Sequence, residues 1–216
     1  MGAVPLTAFD FDWGDDGGTI TWDTCNTHQT NVQNTDSKIL AYTIGNEDSR
    51  FAHNNKNIVL QYSENGGTWT TITSSTEWIY YNASAFTDGD SVTSPMCGQP
   101  QPNWTNGEKS EDNLVQVTLN ALTCTQIWWA LKPNSATAGS WFQFRMYNSS
   151  DSAALNPGSP TPWPSAQIAG GGGPTGPEDC TSPGDIALNS TNTGNEIYVQ
   201  TTIVTGNEIR QYSTCS

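Results

Sequence analysis

Short runs of alternating apolar and polar residues, broken by Gly, Asn, Asp and Pro, recur along the chain, and helical periodicity is hard to find anywhere. That pattern predicts short strands joined by tight turns, and so an all-β fold. Phe9-Asp10-Phe11-Asp12-Trp13 puts three rings on one face of a strand and two carboxylates on the other. Asp15-Asp16-Gly17-Gly18 then predicts a turn into a second strand at residues 19–22. Residues 38–44 are partly apolar on both faces, which suits a central strand. Residues 58–62 and 68–72 flank Asn65-Gly66, the strongest short-range hairpin signal in the chain. Further strands at residues 114–119, 126–131 and 141–147 complete an immunoglobulin-like or jelly-roll-like β-sandwich, with Phe142, Phe144 and Met146 sharing a face of the last.

The punctuation changes near residue 156. Residues 156–183 hold seven prolines and the run Gly170-Gly171-Gly172-Gly173, which predicts a linker. Beyond it, Thr193-Gly194-Asn195-Glu196-Ile197 recurs as Thr205-Gly206-Asn207-Glu208-Ile209, Gly-Asn turns around an intervening strand. Four segments are expected: an exchangeable N-terminal strand in 1–24, a sandwich in 25–156, a Pro/Gly-rich linker in 157–183 and a small C-terminal β-meander in 184–216.

Composition narrows the function. The formal charge is −14 with only 7 Lys and Arg in 216 residues, so a polyanion such as nucleic acid is repelled. Nine Trp, 7 Tyr and 6 Phe supply an aromatic core. Five cysteines without a CxxC pair, in a His-poor chain, predict disulfides and a secreted or cell-surface location. The expected pairs are Cys97 with Cys124 and Cys180 with Cys215, leaving Cys25 free, buried or bonded to another subunit. No apolar stretch approaches the ~18 residues of a membrane span, so no membrane insertion is expected.

Candidate chemistry is sparse. His28 and His53 fall in polar turn-like segments and belong to no local metal or triad motif, so both are expected at the surface. Gly-x-Ser-x-Gly, Walker and dinucleotide signatures are absent from the sequence. Glu64, Glu77 and Glu111 are the carboxylates a glycoside hydrolase would draw on, each at a position where a solvated side chain is the default. Asp10, Asp12, Asp15 and Asp16 supply oxygen ligands of the kind calcium takes, in a spacing that departs from the EF-hand, and a solvated strand face is the better reading. No catalytic role, cofactor or metal is therefore assigned. Sequons at Asn82, Asn103, Asn148 and Asn189 mark expected glycan attachment at turns or strand ends.

Val4, Leu6, Phe9, Phe11 and Trp13 make the N-terminal segment a candidate donor strand, able to complete its own sheet or a neighbour's. This strand, ahead of a Thr/Asn/Gly-rich sandwich with sequons, resembles secreted prokaryotic pilin-like subunits and glycosylated extracellular filaments. The resemblance loosely covers residues 4–147 and implies a structural subunit that polymerises with copies of itself by strand donation. The rival expectation is a carbohydrate-binding or adhesion module, with Trp104, Trp128, Trp129 and Trp163 as the rings that stack on sugars.

Overall fold

The computed structural model describes residues 5–23, 29–96, 103–155 and 163–169, and the backbone of 186–188 and 197–199. The chain divides into two compact units, residues 1–168 and 169–216. Among the described residues there is no helix, and the all-β expectation is met.

Strands are numbered in chain order. The first sheet of the larger unit runs β2 (Ile20–Trp22), β1 (Thr7–Asp16), β4 (Lys38–Gly45), β11 (Cys124–Pro133), β9 (Gly107–Ser110) and β8 (Ser91–Val92), with β7 (Trp78–Tyr80) also on β11. The second runs β10 (Val115–Leu119), β5 (His53–Glu64), β12 (Trp141–Asn148), β14 (Ser165–Ile168) and β3 (Gln29–Val32); β6 (Thr70–Thr71) pairs with β5 and β13 (Ala153–Ala154) with β12. Both sheets are mixed, since β9 runs parallel to β11 and β3 parallel to β14. In the smaller unit β15 (Ile186–Leu188) pairs antiparallel with β16 (Ile197–Val199).

One continuous core lies between the two main sheets. Alternation sends Phe11, Trp13, Leu40, Tyr42, Ile127 and Trp129 inward from the first, against Leu60, Tyr62, Val117, Phe142, Phe144 and Met146 of the second. Each such side chain contributes about 1.5–3 kcal/mol when fully buried. The large rings pack edge to face: Trp78 meets Phe144 at 4.9 Å between centroids and 87°, and Trp13 meets Phe144 at 5.2 Å and 78°.

The predicted central strand, β4, is buried along its whole length between β1 and β11. Its outer face is covered too, because Phe86 and the partly buried Tyr81, Ala83 and Ala85 pack over Ile39 and Ala130. Asp16 pins that cover: Oδ2 accepts from Ser84 N–H at 2.7 Å and from the Tyr81 hydroxyl at 3.0 Å, while Oδ1 accepts from Ser84 Oγ at 2.7 Å.

The predicted hairpin is β5 with β6. Asn65 and Gly66 both take left-handed φ, +48° and +76°, and Gly67 N–H donates to Glu64 O at 2.8 Å. This is the mirror-image turn that matches strand twist.

One boundary differs from expectation. The stretch read as linker contains β14, whose Ala166 and Ile168 are buried in the core, and Phe144 N–H donates to Pro164 O at 2.8 Å. Four residues of alternation suffice for a strand here because β12 and β3 flank it on both sides, and prolines counted over the whole stretch mask that signal. Within the N-terminal segment, β1 lies between β2 and β4 in the sheet of its own chain.

Candidate functional site

The inward alternation of β12 leaves Trp141, Gln143, Arg145 and Tyr147 on the opposite face of the second sheet, all half-buried. Register places their neighbours: Gln143 opposes Ser63 and Ser165, Arg145 opposes Gln61, Tyr147 opposes Val59, and Trp141 opposes Gln167. The β5–β6 hairpin folds Trp69 onto the same face, and the end of β14 brings Trp163 against it, with ring centroids 5.5 Å apart at 62°.

Arg145 organises the centre of this face. Its Cζ lies 4.3 Å from the Trp69 ring centroid and 5.8 Å from that of Tyr147, a cation held by aromatic faces. Arg145 Nε donates to Gln61 Oε1 at 2.9 Å, and Gln61 Nε2 donates to Thr71 Oγ1 at 3.1 Å. The chain of bonds fixes the plane of the guanidinium. Burial lowers the Arg145 pKa, but a guanidinium remains charged at neutral pH. The result is a rigid surface of indole faces interleaved with amides and one cation, suited to a ligand with apolar faces and hydroxyl edges.

The expected site residues fall elsewhere, with one exception. Trp163 belongs to this face. Trp129 is 0% exposed in the core, so its ring is not a stacking surface, and its place on β11 dictates that it points inward. Trp128 lies on the outer side of the first sheet, edge-on to Trp22 at 4.9 Å and 76°, with Lys109 Nζ 5.4 Å from its ring centroid. Trp104 pairs through its backbone with Cys124, and its indole N–H is buried.

Of the candidate donor strand, Phe11 is 1% and Trp13 0% exposed within their own chain, Leu6 is buried, and the Phe9 ring crosses Gly45. Val4 lies outside the described residues. The four aspartates do not converge: Asp15 pairs with Lys38 at 2.5 Å, Asp16 holds Ser84, and Asp12 is buried with its Oδ1 accepting from Trp13 N–H. Among the described residues no three acidic, His or Cys groups cluster as metal ligands would. Glu64 Oε1 accepts from Ser140 Oγ at 2.5 Å and Glu111 Oε1 from Ala83 N–H at 2.6 Å, while Glu77 offers its backbone carbonyl to Asn134. His53, expected at the surface, is buried on β5 opposite Leu119 because the strand begins there. His28 lies outside the described residues.

Asn82 and Asn103 are exposed, though Asn103 Nδ2 donates to Leu122 O at 2.9 Å. Asn148 is 3% exposed; its Nδ2 donates to Asp151 at 2.9 Å, and its Oδ1 accepts from the N–H groups of Ser150 and Asp151. A glycan on that nitrogen is incompatible with this packing. Asn189 lies outside the described residues. Cys124 opens β11 in a buried position, and Cys25, Cys97, Cys180 and Cys215 lie outside them. Two residues along the same strand face, Gln126 Oε1 accepts from Met96 N–H at 2.9 Å.

Trp69 and Arg145 were missed by the sequence reading. The signal for Arg145 is present in β12, since a strand whose even positions are apolar exposes its odd ones, and those are Trp, Gln, Arg and Tyr.

No family model, curated protein or solved structure matches the chain.

Proposed function

We propose that the larger unit is an extracellular glycan-binding or adhesion module that takes saccharide on the outer face of the second sheet. The observation that carries this reading is Arg145 held between Trp69 and Tyr147, with Trp163 against Trp69, and with Trp141, Gln143 and Gln167 on the same face of the sheet. A pyranose ring presents C–H groups from its faces and hydroxyls from its edges, and this surface offers indole faces beside amide donors and acceptors. Covering one indole face removes apolar area worth on the order of 1–2 kcal/mol at about 25 cal/mol per Å2. Two rings together supply affinity in the range expected of a weak, multivalent adhesin.

Affinity electrophoresis through gels cast with soluble polysaccharides tests the reading. Wild type is retarded in at least one gel, and Trp69→Ala and Trp163→Ala each reduce retardation. Equal mobility of wild type and both variants in every gel sinks it.

A second reading, a subunit of an extracellular filament or coat, is favoured by one end of the sandwich. Phe51 and Leu122 are 47% and 50% exposed there, tied to one loop by Asn46 Nδ2 donating to Phe51 O and Leu122 N–H donating to Asp48 O. Leu122 also lines an open hollow with Phe9, Gly45 and Cys124. On this reading copies meet through that apolar end, with β1 staying at home. Sizing across a hundredfold concentration range tests it, and a monomer throughout counts against it.

A further inference from the structure

We propose that the saccharide held on the second sheet's outer face carries a carboxylate, and that Arg145 is the residue that reads it; this rests on the glycan-binding reading above. In a chain with 21 acidic residues against 7 basic ones, the outward positions of β12 and those opposing them on β5 and β14 carry no Asp or Glu. The charge at the centre of the face is Arg145. Lys38, Arg50 and Lys56 each pair with an aspartate, whereas Arg145 makes no ion pair among the described residues.

The hydrogen bond to Gln61 engages Nε and leaves both terminal nitrogens of Arg145 without a partner among the described residues. Those two nitrogens form the planar fork that takes a carboxylate with two parallel bonds. The guanidinium is also preorganised, clamped by Trp69 and Tyr147 and tethered to Gln61, so little side-chain entropy is lost on binding. Partial desolvation by the rings strengthens its attraction to an incoming anion.

The net charge of −14 opposes any acidic ligand. Screening decides between the two effects: the Debye length is about 8 Å at physiological ionic strength, so repulsion from distant surface acids is damped while the contact pair is not. A glycan bearing uronic acid residues therefore fits, with its ring face on Trp69 or Trp163 and its carboxylate on Arg145. An acidic peptide offers the same carboxylate without a rigid ring face, and the indole pair favours the sugar.

Calorimetric titration at about 0.15 M salt with trigalacturonate and its methyl ester separates charge from shape, with neutral xylo- and cello-oligosaccharides beside them. Wild type is expected to bind the acid at least about tenfold more tightly than the ester, equivalent to about 1.4 kcal/mol. Arg145→Gln is expected to erase that difference and Arg145→Lys to restore part of it. Equal affinity of wild type for acid and ester, with both lost in Trp69→Ala, overturns this inference and leaves the glycan-binding reading standing. Affinity for no saccharide overturns both. Arg145-dependent binding of an Asp/Glu-rich peptide, with no saccharide bound, assigns the face to peptide and overturns both as well. Near-ultraviolet circular dichroism checks the fold of each variant, and the comparison of acid with ester on wild type stands even where a variant fails to fold.

Discussion

The Arg145 guanidinium lies over the Trp69 ring, 4.3 Å from its centroid, on the side of the second sheet that faces away from the core. Trp69 reaches it from outside β12 through the Asn65-Gly66 turn, so one hairpin sets the relation between cation and indole. The candidate site therefore depends on local turn chemistry as much as on the sandwich beneath it.

Trp129 and Trp69 separate core from surface. Trp129→Ala empties a fully buried position and is expected to cost about 3–5 kcal/mol in urea denaturation. Trp69→Ala is expected to cost about 1 kcal/mol or less, with its main effect on ligand affinity. The reverse order of stabilities contradicts the assignment of faces.

Gly107 is fixed by close approach. A Cβ there meets the backbone carbonyl of Gln126, so Gly107→Ala drives β9 away from β11 and is expected to destabilise by on the order of 1–3 kcal/mol. Gly66→Ala meets no neighbouring atom but strains a left-handed φ, and about 1 kcal/mol is expected. Denaturant midpoints of the two variants check the ranking.

Asp16 sets a pH dependence. Burial pushes its pKa up, but the hydrogen bonds from Ser84 and Tyr81 outweigh it and hold the carboxyl below its ordinary range. A depressed folded pKa contributes stability that is present above the ordinary carboxylate value of about 4 and is lost as pH falls below it. Asp16→Asn is expected to flatten the acid limb of stability below about pH 4, measured by thermal melts. An unchanged limb contradicts the role given to Asp16.

Sequon use follows burial. Expressed in a host that attaches N-glycans, the folded protein is expected to carry sugar at Asn82 and none at Asn148, whose amide is enclosed with Asp151. Glycopeptide mass mapping reads both sites, and occupancy at Asn148 contradicts this packing. The same peptide maps, run without reductant, test for the expected Cys97–Cys124 bond.

Period-two alternation made the core strands legible. β4, the β5–β6 hairpin and β12 were read from pattern and turn residues because their apolar positions repeat every second residue and Asn-Gly admits few turns. β14 was not, because four residues between Pro164 and the Gly170–Gly173 run carry too little pattern to outweigh the composition around them. The site was legible only in part. Trp163 stood out as an aromatic in a Pro-rich stretch, but its pairing with Trp69 joins positions 94 apart in sequence, a juxtaposition that only the strand order creates. Trp129 was misplaced for the converse reason: within Gln126 to Leu131 both faces are apolar, and alternation alone does not say which faces the core.

On the proposed function, the outer face of the second sheet binds saccharide. The indole N–H resonances of the 9 tryptophans test it most directly, since each reports its own surroundings during titration with oligosaccharides. Shifts confined to Trp69, Trp163 and Trp141, with Trp13, Trp78 and Trp129 unmoved, are the predicted result. Shifts at Trp22 and Trp128 instead, or none at any indole up to millimolar ligand, would contradict it.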